Sequence, residues 1–350
     1  MTTRLDTRAL NRATLARQFL LDRVDSSVRD TVAHLGGLQA QEPQEPYTGL
    51  WSRLRAFEPA QLSEPLTQRS LVRLHLMRRT VHLMTADDAR SWRPRHHALL
   101  CQRSIAVYRK ELAGVDLDTV TAQASDLMAD GVPRTLGEVG RALSAHWPGV
   151  PPRVLGEIVV AGVVPAVQLP PRGVWRSTAG ARYLPLTTWI PGEAPPGSPD
   201  ADLIRRYLRA YGPAATADLR AWCGLSGLPS AVATLRGELV EFRDDRGRRL
   251  LDLADAPRPD PGTPAPVRFL PAFDNAVLGY HDRTRIIADE HRGLSVTGAR
   301  FVLVDGRVAA TWTSTATGPV TVTPLRPLTR TETTAVADEA ERLTAFLSHP

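Results

Sequence analysis

Apolar and polar positions along this chain repeat one short plan three times. In residues 119–184 a helical run from Val120 to Asp130 reaches a turn at Gly131-Val132-Pro133. Thr135-Leu136-Gly137-Glu138 then has the pattern of a capping box and opens a second helix that runs to Ala145. Pro148-Gly149 breaks that helix, and Arg153 to Ala161 makes a third helical stretch. Two strands follow, Val163–Leu169 and Arg182–Leu186, around the turn Pro170-Pro171-Arg172-Gly173. Three helices and then a β-ribbon is the order of a winged helix.

The plan returns at 200–254 with helices at Asp202–Tyr211, Thr216–Trp222 and Pro229–Leu235. A hairpin of Leu239–Phe242 and Arg249–Leu253 closes it around Asp244-Asp245-Arg246-Gly247. Residues 11–85 fit more loosely, with helices at Ala13–Arg23, Ser27–Leu35, Tyr47–Ala56 and Pro59–Gln68. Their ribbon would be Leu71–Met77 and Val81–Thr85. After the Pro-rich linkers Pro191–Pro199 and Ala256–Pro266 come four β-like runs: Arg268–Leu270, Ala299–Val304, Arg307–Thr313 and Val320–Thr323. A closing helix spans Thr331–Leu347. The expected architecture is α+β: three tandem winged-helix modules at 1–115, 116–190 and 200–255, then a β-barrel-like domain at 267–350.

The third helix of a base-reading winged helix carries polar side chains into the major groove. Here Arg153-Val154-Leu155-Gly156-Glu157-Ile158-Val159-Val160-Ala161 is apolar beyond its first turn, and Ser230–Arg236 is scarcely better suited. Such a helix gains more from burial than from exposure to bases. The modules therefore read as scaffold, which argues against a sequence-specific regulator.

Composition narrows the picture further. A hydrophobic fraction of 43% suits a folded protein, and no apolar run approaches the length of a membrane-spanning helix. The N-terminal stretch Met1-Thr2-Thr3-Arg4-Leu5-Asp6 lacks the apolar core of a signal peptide, so the expected location is cytoplasmic, with no membrane partner. Only two cysteines occur, Cys101 and Cys223, and His96-His97 near Cys101 lacks further ligands at metal spacing, so no metal is expected. Net charge is +6, and Lys110 is the single lysine among 43 basic residues. Arginine suits phosphate, although a GC-rich coding sequence also replaces lysine with arginine.

No Walker loop, GxGxxG, HExxH or GxSxG is present, and no cofactor is implied. Three regions remain as chemical candidates. In Gly36-Gly37-Leu38-Gln39-Ala40-Gln41, an extended segment would point both glutamine amides into one cavity, or else these are loop glutamines bonded to backbone. In Met77-Arg78-Arg79-Thr80-Val81-His82, the choice is a phosphate-binding turn with His82 lining a pocket, or an exposed hairpin with His82 half buried. In Leu270–Arg283, Asp274 and Arg283 either line a pocket or form a structural cap and its partner.

Together these regions resemble the winged-helix DNA glycosylase family that includes AlkZ and YcaQ. The likeness rests on the glutamine segment, Arg78/Arg79–His82, Leu270-Pro271-Ala272-Phe273-Asp274 with Arg283, and Val304-Asp305-Gly306-Arg307-Val308. It implies a C-shaped, monomeric protein around double-stranded DNA. It also implies catalytic roles for Gln39 and Gln41 in the double-glutamine form of the family's motif. Arg78, Arg79, Thr80, His82, Asp274 and Arg283 would bind DNA or line the pocket. The implied reaction is hydrolysis of the N-glycosidic bond of alkylated purines, with interstrand crosslinks as further substrates. Some related enzymes protect antibiotic producers from their own DNA-alkylating products. The alternatives are a non-catalytic DNA-binding regulator and a protein that sequesters an alkylating drug.

Overall fold

The computed structural model describes residues 3–315 and 318–349, so Met1 and Thr2 of the N-terminal stretch lie outside the described residues. The chain begins with α1 (Thr7–Arg17), capped by Asp6, and α2 (Val28–His34), capped by Ser27. A two-residue strand, β1 (Leu38–Gln39), follows, then α3 (Glu45–Trp51) and α4 (Ala60–Thr67). Strands β2 (Leu71–His75) and β3 (Val81–Thr85) flank a 3-10 turn at Met77–Arg79. The 22-residue helix α5 (Ala86–Val107) then crosses the molecule, with Thr85 as its cap.

The middle segment contains α6 (Leu117–Ala129), α7 (Leu136–Ser144) and α8 (Pro152–Ile158), which ends in a π-helical turn at Val159–Val163. The capping box is present: Thr135 and Glu138 bond each other's backbone N–H. Helices α7 and α8 approach so closely that a Cβ on Gly140 would lie 1.8 Å from the Pro152 carbonyl oxygen. Only glycine allows that crossing. Val154, Leu155, Ile158, Val159 and Val160 are all buried, and the π-helical turn packs against α5. The apolar third helix is thus consumed by the core, as its composition requires.

Strands β4 (Ala166–Gln168) and β5 (Tyr183–Pro185) do not form a separate ribbon. They join the first ribbon in one five-stranded sheet of order β1-β3-β2-β4-β5, with Arg73 opposite Gln168 and Leu74 opposite Val167. After α9 (Leu186–Trp189), the third segment runs α10 (Pro199–Tyr211), α11 (Thr216–Cys223), α12 (Leu228–Thr234) and the hairpin β6 (Leu239–Arg243) with β7 (Arg249–Leu253). One hydrophobic cluster joins these parts, with Val72, Met84, Trp92, Tyr207, Trp222 and Tyr280 at its centre.

The C-terminal region corrects an expectation. Strand β8 (Arg268–Leu270), the short helix α13 (Asn275–Leu278), and strands β9 (Arg300–Val304), β10 (Arg307–Thr313) and β11 (Thr321–Pro324) precede α14 (Arg330–Leu347). The strands form an open antiparallel sheet of order β11-β10-β9-β8, and among the described residues it does not close into a barrel. Instead, α14 covers one face through Val336 and Leu343, which pack with Phe269, Val302 and Trp312. A helix supplies the burial that closure would otherwise have provided.

Candidate active site

The glutamine segment is held at both ends by neighbouring parts of the fold. Gly36 and Gly37 adopt φ of +66° and +90°, values that L side chains rarely tolerate. A Cβ on Gly37 would lie 2.2 Å from the Met84 sulfur. Tyr211 donates its hydroxyl to the Leu35 carbonyl (3.1 Å), and Asn275 donates its amide to the Gly37 carbonyl (2.6 Å). The third segment and the C-terminal region therefore both fix the turn that launches β1.

From that turn Leu38 and Ala40 enter the N-terminal core with Val32, Leu50 and Leu83. Gln39 lies opposite His82 in the antiparallel pair β1–β3, on the other face. Its side-chain oxygen accepts from the Arg78 guanidinium at 2.8 Å, and Gln39 is 8% exposed. Gln41 is exposed, and its side-chain oxygen accepts from the Val81 N–H at 3.1 Å. Arginine and a backbone N–H can only donate, so the atoms facing them must be oxygens. Both amides are thereby oriented, and among the described residues each side-chain oxygen accepts one hydrogen bond from the protein.

Arg78 takes up this position through an unusual turn. Arg78 and Arg79 both have positive φ, 56° and 63°. Thr80 stabilises the bend by donating its hydroxyl to the Met77 carbonyl at 3.1 Å. Arg78 also donates to the Trp222 carbonyl at 2.6 Å. Burial holds its ionisation down at about 10, and Arg283 and Arg103 push in the same direction. On the other side, buried Arg73 donates to the Ala40 carbonyl (2.9 Å) and to Gln168 (3.2 Å). Burial, and next Arg172, lower its ionisation as well, to about 10. Two arginines that make no ion pair among the described residues thus brace a three-residue segment.

His82 is buried, and its Nδ1 sits 3.0 Å from the Thr80 carbonyl oxygen, which makes Nδ1 the donor. Its Nε2 is then a bare acceptor, buried with no hydrogen-bond partner. Burial, and next the Arg78 charge, press its pKa down to about 3. His82 is therefore neutral near pH 7 and cannot serve there as a proton donor through an imidazolium.

The remaining candidates divide. Arg283 donates to the Ser295 hydroxyl at 2.6 Å and stands among the charges acting on Arg78. Arg79 turns away to Glu157 on α8, at 3.3 Å. Asp274 is buried, caps α13 by accepting from the Ala276 N–H, and receives a bidentate pair of bonds from Arg53 at 2.8 and 2.9 Å. Its partner is Arg53, not Arg283. Sequence reasoning singled out neither Arg53 nor Arg73, nor Asn275 as the anchor of Gly37. The visible hint was Arg73, a cation inside the otherwise apolar strand Leu71–Leu74.

A basic cleft of about 690 Å³ adjoins this centre, with Arg78 in its wall. The arrangement offers fixed dipoles, cations and an uncharged imidazole. It suits a reaction that needs water and charge placement more than proton transfer.

A family model described as DNA glycosylase AlkZ-like matches residues 32–346. An interstrand DNA cross-link repair glycosylase from Streptomyces sahachiroi is 27% identical, over 93% of this chain and 92% of its own. The solved structure of the Streptomyces sahachiroi DNA glycosylase AlkZ superposes with a TM-score of 0.77 at 24% identity, covering 99% of this chain and 97% of that one.

Proposed function

This chain belongs to the AlkZ-like DNA glycosylase family, and on that premise we propose that it hydrolyses the N-glycosidic bond of alkylated purines in double-stranded DNA. N7-alkylguanine is the foremost substrate, with Gln39 and Gln41 as the catalytic pair. The observation that carries this reading is the orientation of the two amides by donors that cannot accept, Arg78 and the Val81 N–H.

Alkylation at N7 makes the purine cationic, so the base departs as a neutral molecule and needs little acid. The barrier then lies in the oxocarbenium-like sugar. The free lone pairs of Gln39 and Gln41 can hold a water and face the growing positive charge. Prearranged dipoles of this kind contribute roughly 10²–10³ in rate, by analogy with oxyanion-hole donors. Neutral His82 fits the same chemistry, since a leaving group already activated by its own charge does not demand an imidazolium.

The chemistry is monofunctional. Lys110 is the single lysine, and it lies on the exposed turn beyond α5, remote in sequence from the glutamines. The relative's cross-link repair activity supports acceptance of crosslinks, and a role in self-resistance to an alkylating product is consistent with it. Duplex DNA carrying a single N7-methylguanine tests the proposal: free base is released, and the strand stays intact until alkali is added. Absence of free base sinks the substrate assignment, and a borohydride-trapped adduct sinks the monofunctional mechanism.

A further inference from the structure

The oriented glutamine raises an electrostatic problem. The sugar becomes positive as the base leaves, while Arg78 keeps a second positive charge 2.8 Å from the Gln39 oxygen. Among the described residues no carboxylate stands among the principal charges acting on Arg78, and Arg283 and Arg103 add to its positive surroundings. Something outside the chain must offset that charge if Gln39 is to favour a cation.

The cleft beside Arg78 has the chemistry to hold such a group. Arg103 enters it from α5 and Arg220 from the exposed face of α11. Among the described residues the cleft is lined by no aspartate or glutamate, and neither Arg103 nor Arg220 makes an ion pair or side-chain hydrogen bond. Elsewhere on the surface arginines lie on carboxylates: Arg134 on Asp130, Arg205 on Glu238 and Arg326 on Glu332. Thr216 and Ser226 add hydroxyl donors to the lining, while Ala217, Ala221 and Gly224 leave room for a bulky group. A concavity of one sign, walled by protein, concentrates counter-charge, and guanidinium groups match phosphate oxygens in geometry.

We propose that this cleft is a phosphodiester subsite: Arg103 and Arg220 hold a backbone phosphate of the DNA, and Arg78 links that phosphate to Gln39. The last clause rests on the glycosylase reading; the subsite itself requires only DNA binding. A phosphate at this place offsets the Arg78 charge and leaves the second lone pair of Gln39 facing the sugar unopposed. Engagement of the backbone thereby prepares the amide, so the free nucleoside N7-methylguanosine is not a substrate.

Binding of an undamaged duplex, followed by fluorescence anisotropy over a range of salt concentrations, tests the subsite. Each phosphate contact contributes about 0.9 to the slope of log affinity against log salt. Arg103→Ala with Arg220→Ala should therefore lower the slope by roughly 1 and weaken binding about tenfold. Arg326→Ala, already neutralised by Glu332, serves as the control and should change neither. A scan of single uncharged methylphosphonate linkages in a duplex that carries one N7-methylguanine gives an independent reading on the unmodified protein: one linkage near the lesion should weaken binding, and the double variant should be insensitive to that linkage. An unchanged slope, or equal sensitivity of both proteins at every linkage, overturns the proposal. Base release with an unchanged slope would remove the subsite and leave the glycosylase standing. A changed slope without base release would do the reverse.

Discussion

Arg53 is a fully buried cation and Arg78 a half-buried one, and the fold treats them differently. Arg53 meets Asp274 in a bidentate pair with both side chains essentially unexposed, and it also donates to the Gly49 carbonyl. Its charge is neutralised inside the protein, where it ties α3 to the segment before α13. Arg78 meets only neutral acceptors, the Gln39 amide and the Trp222 carbonyl, and its charge stays uncompensated at the edge of a basic cleft. The first arrangement holds two parts of the fold together. The second keeps a positive charge in reserve beside the two glutamines, at a cost in desolvation that the protein bears before any DNA arrives.

Breaking the internal pair should have the largest effect on stability. Arg53→Ala leaves Asp274 buried without its counter-charge, and such a loss is worth about 3–5 kcal/mol. Calorimetry should show a fall in Tm well beyond that of Arg78→Ala. Equal losses would mean that the two arginines do not differ as described. Next in size is Gly37→Ala, which sets a Cβ against Met84 and forces a φ of +90° on alanine. We expect about 1–3 kcal/mol of strain, together with slower base release, because the turn launches Gln39. Unchanged stability and rate would show that the turn is not tightly constrained.

A third effect concerns acid. Burial lowers the pKa of His82 to about 3 and those of His75 and His96 to about 4, from 6.5. The unfolded chain then binds more protons than the folded one between those values and 6.5. The associated stability is fully present above pH 6.5 and is lost as pH falls toward 4, with a slope of up to about 1.4 kcal/mol per pH unit for each histidine. Melting curves between pH 7.5 and 5 should record it, and His82→Gln should flatten the trend. A trend of the opposite sign would show that these rings are charged in the folded protein.

How much of this was legible in the sequence depended on whether the cause was local. The capping box at Thr135 and Glu138 and the β6–β7 hairpin follow from neighbouring residues, and both occur as expected. The pairing of β2 with β4 joins Arg73 to Gln168 across the chain, and no local pattern announces it. The expected barrel failed for a related reason. Alternation along β8–β11 specifies one buried face, but it does not say whether the sheet's edges meet or a helix covers the face. Helix α5 has almost no amphipathic period and carries Pro94 inside it, so periodicity did not reveal it. At the site, Gln39 and Gln41 lie in one short segment and Arg78 and His82 in another, and each segment was legible from its own neighbours. Their supports, Tyr211, Trp222 and Asn275, come from distant segments that only the fold brings in.

The claim that oriented amides carry the chemistry is tested most directly by single-turnover release of N7-methylguanine from duplex DNA by Gln39→Leu, alongside its affinity for undamaged duplex. The account predicts a rate lower by roughly 10²–10³ with affinity close to that of the unaltered protein, and a modest fall in Tm because Arg78 loses its amide acceptor. A variant that releases the base at the original rate would contradict it.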